Sequence, residues 1–175
     1  MEITQAKTGK FALNYGIILG VLSIIFSLML YMAGMQYDQS IVLFFVRLAI
    51  MTGVIIFGIY KFREANNDTL TISEAIKVGI GMALIGTIIG IIYQMIFMSV
   101  IEPDFMKNMM EAQKMEMIAK NPNMTQEQID NASEMMQKFS GPYLSAAIGL
   151  IGGLFLGLII SLIGGLILKK QEAAY

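Results

Sequence analysis

The residues able to do chemistry in this sequence are few. Arg47 interrupts one long hydrophobic run and Gln94 another. Met106, Met109, Met110, Met115 and Met117 bring thioether sulfurs together in one polar stretch. There is no histidine and no cysteine. That removes the commonest general base, proton shuttle and metal ligand, together with disulfides and thiolate chemistry. No Ser-His, Cys-His or His-Glu-x-x-His constellation can be assembled. Every aspartate falls in a connector or in the polar stretch, and no Gly-Lys-Ser/Thr phosphate loop is present. The sequence is therefore expected not to encode an enzyme, and no catalytic, cofactor-binding or metal site is assigned.

Arg47 is the one charge well inside a hydrophobic run. Such a charge costs at least ~2.5 kcal/mol on insertion scales unless it pairs or snorkels. It lies eight residues beyond Gln39, and Gln94 lies eight residues before Glu102. Helix rise puts both about 12 Å from the same end. The expectation is that they meet, with Tyr31 or Tyr93 adding a hydroxyl. The alternative is that Arg47 snorkels to lipid phosphate or to Asp38. Either geometry admits a structural role or a part in binding an ion or ligand. The methionines pose a similar choice. Soft thioethers select Cu(I), so a weak sulfur-only site is one reading. Methionine is also flexible and apolar, which suits an amphipathic helix on a membrane surface or against a variable partner.

The elements that position these residues follow from composition. Of 175 residues, 56% are hydrophobic and only 14% charged, where a soluble domain carries about 25%. Phe11 to Met35 holds no charge across 25 residues, enough for ~30 Å of hydrocarbon. It is too long for a signal-peptide core and is read as a retained first span. A tight connector at 36–40 predicts an antiparallel hairpin with span 2, residues 41–60. Span 3 is placed at 75–101. Thr71 and Glu74 form a capping box before it, and Pro103 ends it. Span 4 is placed at 143–168. Between spans 3 and 4, residues 102–140 carry seven acids, four lysines and eight methionines. Two amphipathic helices are predicted there. The first shows Met106, Met110, Gln113 and Met117 on one face. The second is capped by Thr125 and Gln128 and shows Ile129, Ala132, Met136 and Phe139. Asn121-Pro122-Asn123 separates them.

Four spans put both termini on one side. Lys7, Lys10, Lys61, Arg63, Lys77, Lys169 and Lys170 fall on that side in short segments. The positive-inside rule makes it cytoplasmic and puts the 102–140 hairpin outside. A net charge of −1 leaves no basic field for nucleic acid.

Span 4 repeats small residues every fourth position: Gly149, Gly153, Gly157, Ser161 and Gly165. Span 1 carries Gly16 and Gly20, and span 3 Gly86 and Gly90, at the same spacing. In lipid, small residues let helix backbones approach closely, a main source of association. The stripe is read as packing within one bundle, as an interface for a homo-oligomer or an unknown membrane-protein partner, or as a glycine-zipper pore.

Asn14-Tyr15-Gly16 with Gly20, then Lys61/Arg63, Leu70-Thr71-Ile72 and Ala75 to Gly79 entering span 3, resemble the DUF4199 family. Those are four-span bacterial membrane proteins of unknown function, common in Bacteroidetes. The long polar insert before the last span is also similar. The resemblance implies fold and location and carries over no activity. The whole chain is accordingly expected to be an all-α integral membrane protein, four transmembrane helices with an extracytoplasmic amphipathic hairpin between helices 3 and 4. Its expected role is a non-enzymatic accessory, scaffold or complex subunit in contact with the lipid bilayer. A small oligomeric transporter or channel is the alternative, and Cu(I) sensing by the insert the third.

Overall fold

A bilayer core offers no water to main-chain N–H and C=O groups, so an apolar run that crosses it must satisfy them internally as helix. The computed structural model describes residues 6–139 and 141–170, in which the uncharged runs are four long helices. They are α1 (Thr8–Met32), α2 (Ile41–Ala65), α3 (Ile72–Ile96) and α6 (Pro142–Leu168). The shorter α4 (Phe105–Lys120) and α5 (Gln126–Phe139) form the polar insert.

The ends of these helices are written in local chemistry. Helix α1 stops three residues before the Met35 expected from hydropathy. Gly34 adopts φ 70°, Gly34 N–H donates to Tyr31 O at 3.0 Å, and Met35 N–H donates to Leu30 O at 2.8 Å. This Schellman ending needs a left-handed residue, which glycine supplies without steric cost. Helix α2 continues five residues past Tyr60, its last turn carrying an ion pair between Lys61 and Glu64 at 2.7 Å. Helix α3 opens on a full capping box: Glu74 N–H donates to Thr71 Oγ1 at 3.2 Å, and Thr71 N–H donates to Glu74 Oε2 at 2.8 Å. Its last turn, Phe97–Ile101, widens into a π-helix closed by Glu102 N–H donating to Phe97 O at 2.9 Å. Thr125 and Gln128 exchange the same reciprocal pair before α5. Ile129 is buried on α5, and Ala132 and Met136 are half-buried, whereas the Phe139 side chain lies outside the described residues.

Helix α3 is the centre of the bundle, packed mainly against α1 and α6. Helix α2 joins through its C-terminal half, where Ile55, Gly58, Ile59 and Phe62 are buried. These meet Leu70, Ala75, Val78 and Met82 in a core confined to the end of the bundle that holds the termini. The other half of α2 shows Ile41, Val42, Phe44 and Phe45 on the surface. The tight connector reverses the chain as expected and α1 and α2 pack against each other, although α1 packs more extensively on α3.

The α2–α3 loop fastens both ends of the described chain. Asn67 and Asp68 take the left-handed conformation, φ 54° and 57°, which short polar side chains tolerate. Leu70 and Lys170 exchange backbone hydrogen bonds at 2.8 and 3.1 Å. Arg63 Nη1 donates to Leu168 O at 3.4 Å, and Asp68 pairs with Arg63 Nε at 3.0 Å and with Lys170. The hydrogen bond from Lys170 is the main cause holding the Asp68 carboxyl below its ordinary range. On the other side of the loop, Asn66 Oδ1 accepts from Ala6 N–H at 3.2 Å.

Candidate functional site

The unequal packing of α2 leaves a cavity of about 570 Å³ at the insert end, between its N-terminal half and α1, α3 and α6. Its floor is the level at which the small residues stop admitting helix contact. Built as alanine, Gly86 would bring its Cβ 2.9 Å from Leu19, and Gly153 would bring its own 2.5 Å from Thr87 Oγ1. One turn further, Gly90 and Gly149 have nothing within 4 Å and line the cavity. The roof is the insert. Phe105, Met106 and Met109 of α4 close over it, and an aromatic chain holds α4 in place. Phe97 packs edge-on against Tyr31 at 5.1 Å and Phe105 at 5.6 Å, and Tyr37 lies 5.7 Å from Phe105. Asn108 Nδ2 ties the same helix to Tyr37 Oη at 3.0 Å and Glu102 Oε1 at 3.1 Å.

The lining is mostly aliphatic, aromatic and methionine side chains, with hydroxyls and amides set among them and one charge, Arg47. Arg47 and Gln94 line the same cavity, but no hydrogen bond joins them, and neither Tyr31 nor Tyr93 reaches the guanidinium through its hydroxyl. Among the described residues Arg47 has no hydrogen bond or ion pair. Asp38, the other partner weighed, instead accepts from Ser40 N–H at 2.7 Å. Arg47 is exposed, whereas two polar atoms on lining residues, Tyr93 Oη and Gln36 Oε1, are shut away from solvent with no hydrogen bond among the described residues. A buried polar group without a hydrogen bond is costly and uncommon, and Glu102 Oε2, outside the lining, shares that state.

The small-residue stripe divides between two situations. Gly157 faces Ala83 so closely that a Cβ would overlap it, Gly165 would bring one 2.8 Å from Ala75, and Ser161 is fully buried against Gly79. On α1, Gly16 and Gly20 would meet Ile85 and Ile89 at 2.7 and 2.8 Å. These are contacts inside one bundle, running from the termini end to its middle. Gly90 and Gly149 have no such neighbour and belong to the cavity.

The methionine cluster is also split. Met106 and Met109 face the cavity, Met110 the α4–α5 groove, and Met115 is exposed. Among the described residues no group of three His, Cys, Asp or Glu side chains could hold a metal ion.

Sequence reasoning did not single out Gln36, Thr87 or Ser145 of the lining, nor Asn66 and Asp68 of the loop. The run Asn66-Asn67-Asp68 is a turn signal that would have located the loop geometry. The sequence marked Arg47, Gln94, Gly90, Gly149, Met106 and Met109 singly, but nothing in it showed that they share one lining, which depends on which helices stand apart.

Four apolar helices long enough to cross a bilayer, packed through small residues, define a multi-pass helical membrane protein in contact with lipid. The family model of DUF4199, described as a protein of unknown function, matches residues 14–170, and the chain belongs to that family. No curated protein and no solved structure matches it.

Proposed function

We propose that this chain is a non-enzymatic protein of the bacterial inner membrane, an accessory or complex subunit that holds a molecule in its intramembrane cavity. In this reading both termini are cytoplasmic and the 102–140 hairpin is outside. The orientation is supported by the seven basic residues in the short segments of one side, against an insert with seven acids and four lysines. The observation that carries the functional reading is the cavity itself, a preformed space lined by apolar chains and a few unspent polar groups. Its volume falls within the ~300–1,000 Å³ usual for small-molecule sites.

A small oligomeric transporter is the second reading. It is favoured by one feature, the closure of the cavity at one end by the packed core and its lining by Arg47, as expected of one side of an alternating-access path. The spans lack the interrupted helices that commonly mark such a path at mid-membrane.

Native mass spectrometry of the protein extracted gently from its own membrane tests the proposal. The expected spectrum shows the chain with a reproducible foreign subunit, a bound small molecule, or both. A bare chain or bare self-oligomer would overturn it, and Arg47-dependent flux in liposomes would replace it with the transporter.

A further inference from the structure

We infer that the cavity is a binding site for an anionic amphiphile, a phosphate or carboxylate head attached to an aliphatic chain, with Arg47 as its counter-ion. The inference rests on the reading of the cavity as a binding site and adds the class of ligand.

Charge comes first. Arg47 is the only charged side chain of the lining, no carboxylate faces it there, and it has no partner among the described residues. A guanidinium within a membrane-spanning segment needs a partner, and its planar fork matches carboxylate and phosphate oxygens. Ser27, Thr87, Gln94 and Ser145 put hydroxyl and amide groups in the same lining, while the positive charge there comes from Arg47 alone.

The remaining lining dictates the rest of the ligand. Beyond the polar groups lie Leu19, Ile50, Met51, Ile91 and Phe97, together with the open positions beside Gly90 and Gly149. An inorganic anion would leave those apolar walls against water, whereas an aliphatic chain covers them. Met106 and Met109 close the roof with unbranched side chains that adapt to chains of different length. Access fits the same source. Arg47 is itself exposed and lies in the outward half of α2, whose flanking Phe44 and Phe45 face the bilayer. An amphiphile dissolved in the bilayer would reach the head-group contact without crossing water.

The test uses the full-length chain in dodecyl maltoside micelles. It is titrated separately with phosphatidylglycerol, oleate, phosphatidylcholine and inorganic phosphate, and bound mass is read by native mass spectrometry. Phosphatidylglycerol or oleate is expected to saturate one site, with phosphatidylcholine weaker by about tenfold or more, the worth of a charge-assisted hydrogen bond. Whichever of the two anions binds more tightly identifies the head as phosphate or carboxylate. Arg47→Gln is expected to remove that preference. Gly149→Leu, which fills an open position, is expected to abolish saturable binding while helical content and unfolding temperature are kept, so it carries the test even if the arginine variant misfolds. Equal binding of phosphatidylcholine, or an anion preference that survives Arg47→Gln, overturns the anionic assignment and leaves a neutral lipid in the cavity. Saturable binding of inorganic phosphate at the same strength overturns the amphiphile in favour of a soluble anion. If none of the four binds saturably, the anionic amphiphile is overturned, while the proposed function stands or falls separately on whether the protein taken from its own membrane carries a foreign subunit or another bound molecule.

Discussion

Gly149 and Gly157 share a helix, a residue type and a stripe, and they differ only in what stands opposite. A Cβ at Gly157 overlaps that of Ala83, a short side chain fixed to its own helix backbone, so the only relief is for α3 and α6 to separate. A Cβ at Gly149 meets open space. Gly157→Val is therefore expected to cost about 1–3 kcal/mol, the range for overpacking a tight contact. Gly149→Ala should fall within about 0.5 kcal/mol of the parent chain. Thermal unfolding of the two variants in micelles checks this, and equal losses would mean that the stripe does not divide. The four-residue spacing was legible in the sequence, and so was the isolation of Arg47. The neighbour of each glycine was not, because a repeat on one helix carries no information about how far the facing helix stands away. The expected meeting of Arg47 with Gln94 came from equal depth, which placed them on one cavity but could not supply the lateral distance between them.

At the scale of the element, sequence and structure agree wherever the determinant is local. The Thr71–Glu74 box lies where its spacing puts it, with both reciprocal hydrogen bonds formed. Thr71→Ala should cost about 0.5–2 kcal/mol, as loss of such a cap does elsewhere. Glu74→Gln should cost less, since an amide oxygen can still accept from Thr71 N–H. A thermal shift in which the two variants rank the other way would show that the carboxylate charge at the helix start outweighs the hydroxyl cap. The early end of α1 had an equally local signal in Gly34, missed because hydropathy continues through Met35 while the backbone has already turned. The π-helical turn at Phe97–Ile101 is different in kind. Its residues give no local signal for the widening, and Phe97 at its start packs among Tyr31, Tyr93 and Phe105.

For the whole molecule, orientation remains to be measured, and the absence of cysteine makes the measurement clean. Asn123→Cys in the insert and Gly9→Cys near the first span, both exposed, are each the sole thiol of their variant. A membrane-impermeant maleimide is expected to label Asn123→Cys on intact spheroplasts and Gly9→Cys only after permeabilisation. The reverse pattern would invert the topology and move the cavity to the cytoplasmic half of the membrane.

The sequence alone determined that this is a four-span helical membrane protein, where its spans fall to within a few residues, and which residue types it has available for chemistry. Those properties follow from bilayer thickness, from main-chain hydrogen bonding without water, and from the side-chain inventory, all of which act within a segment. Only the tertiary structure decided that α1 packs chiefly on α3, that α2 is held at one end, and that a cavity with an unpaired arginine opens at the other. Apolar faces in lipid do not choose partners by hydrophobicity. Shape at contacts such as Gly157 against Ala83 chooses them, and shape exists only once the helices are together.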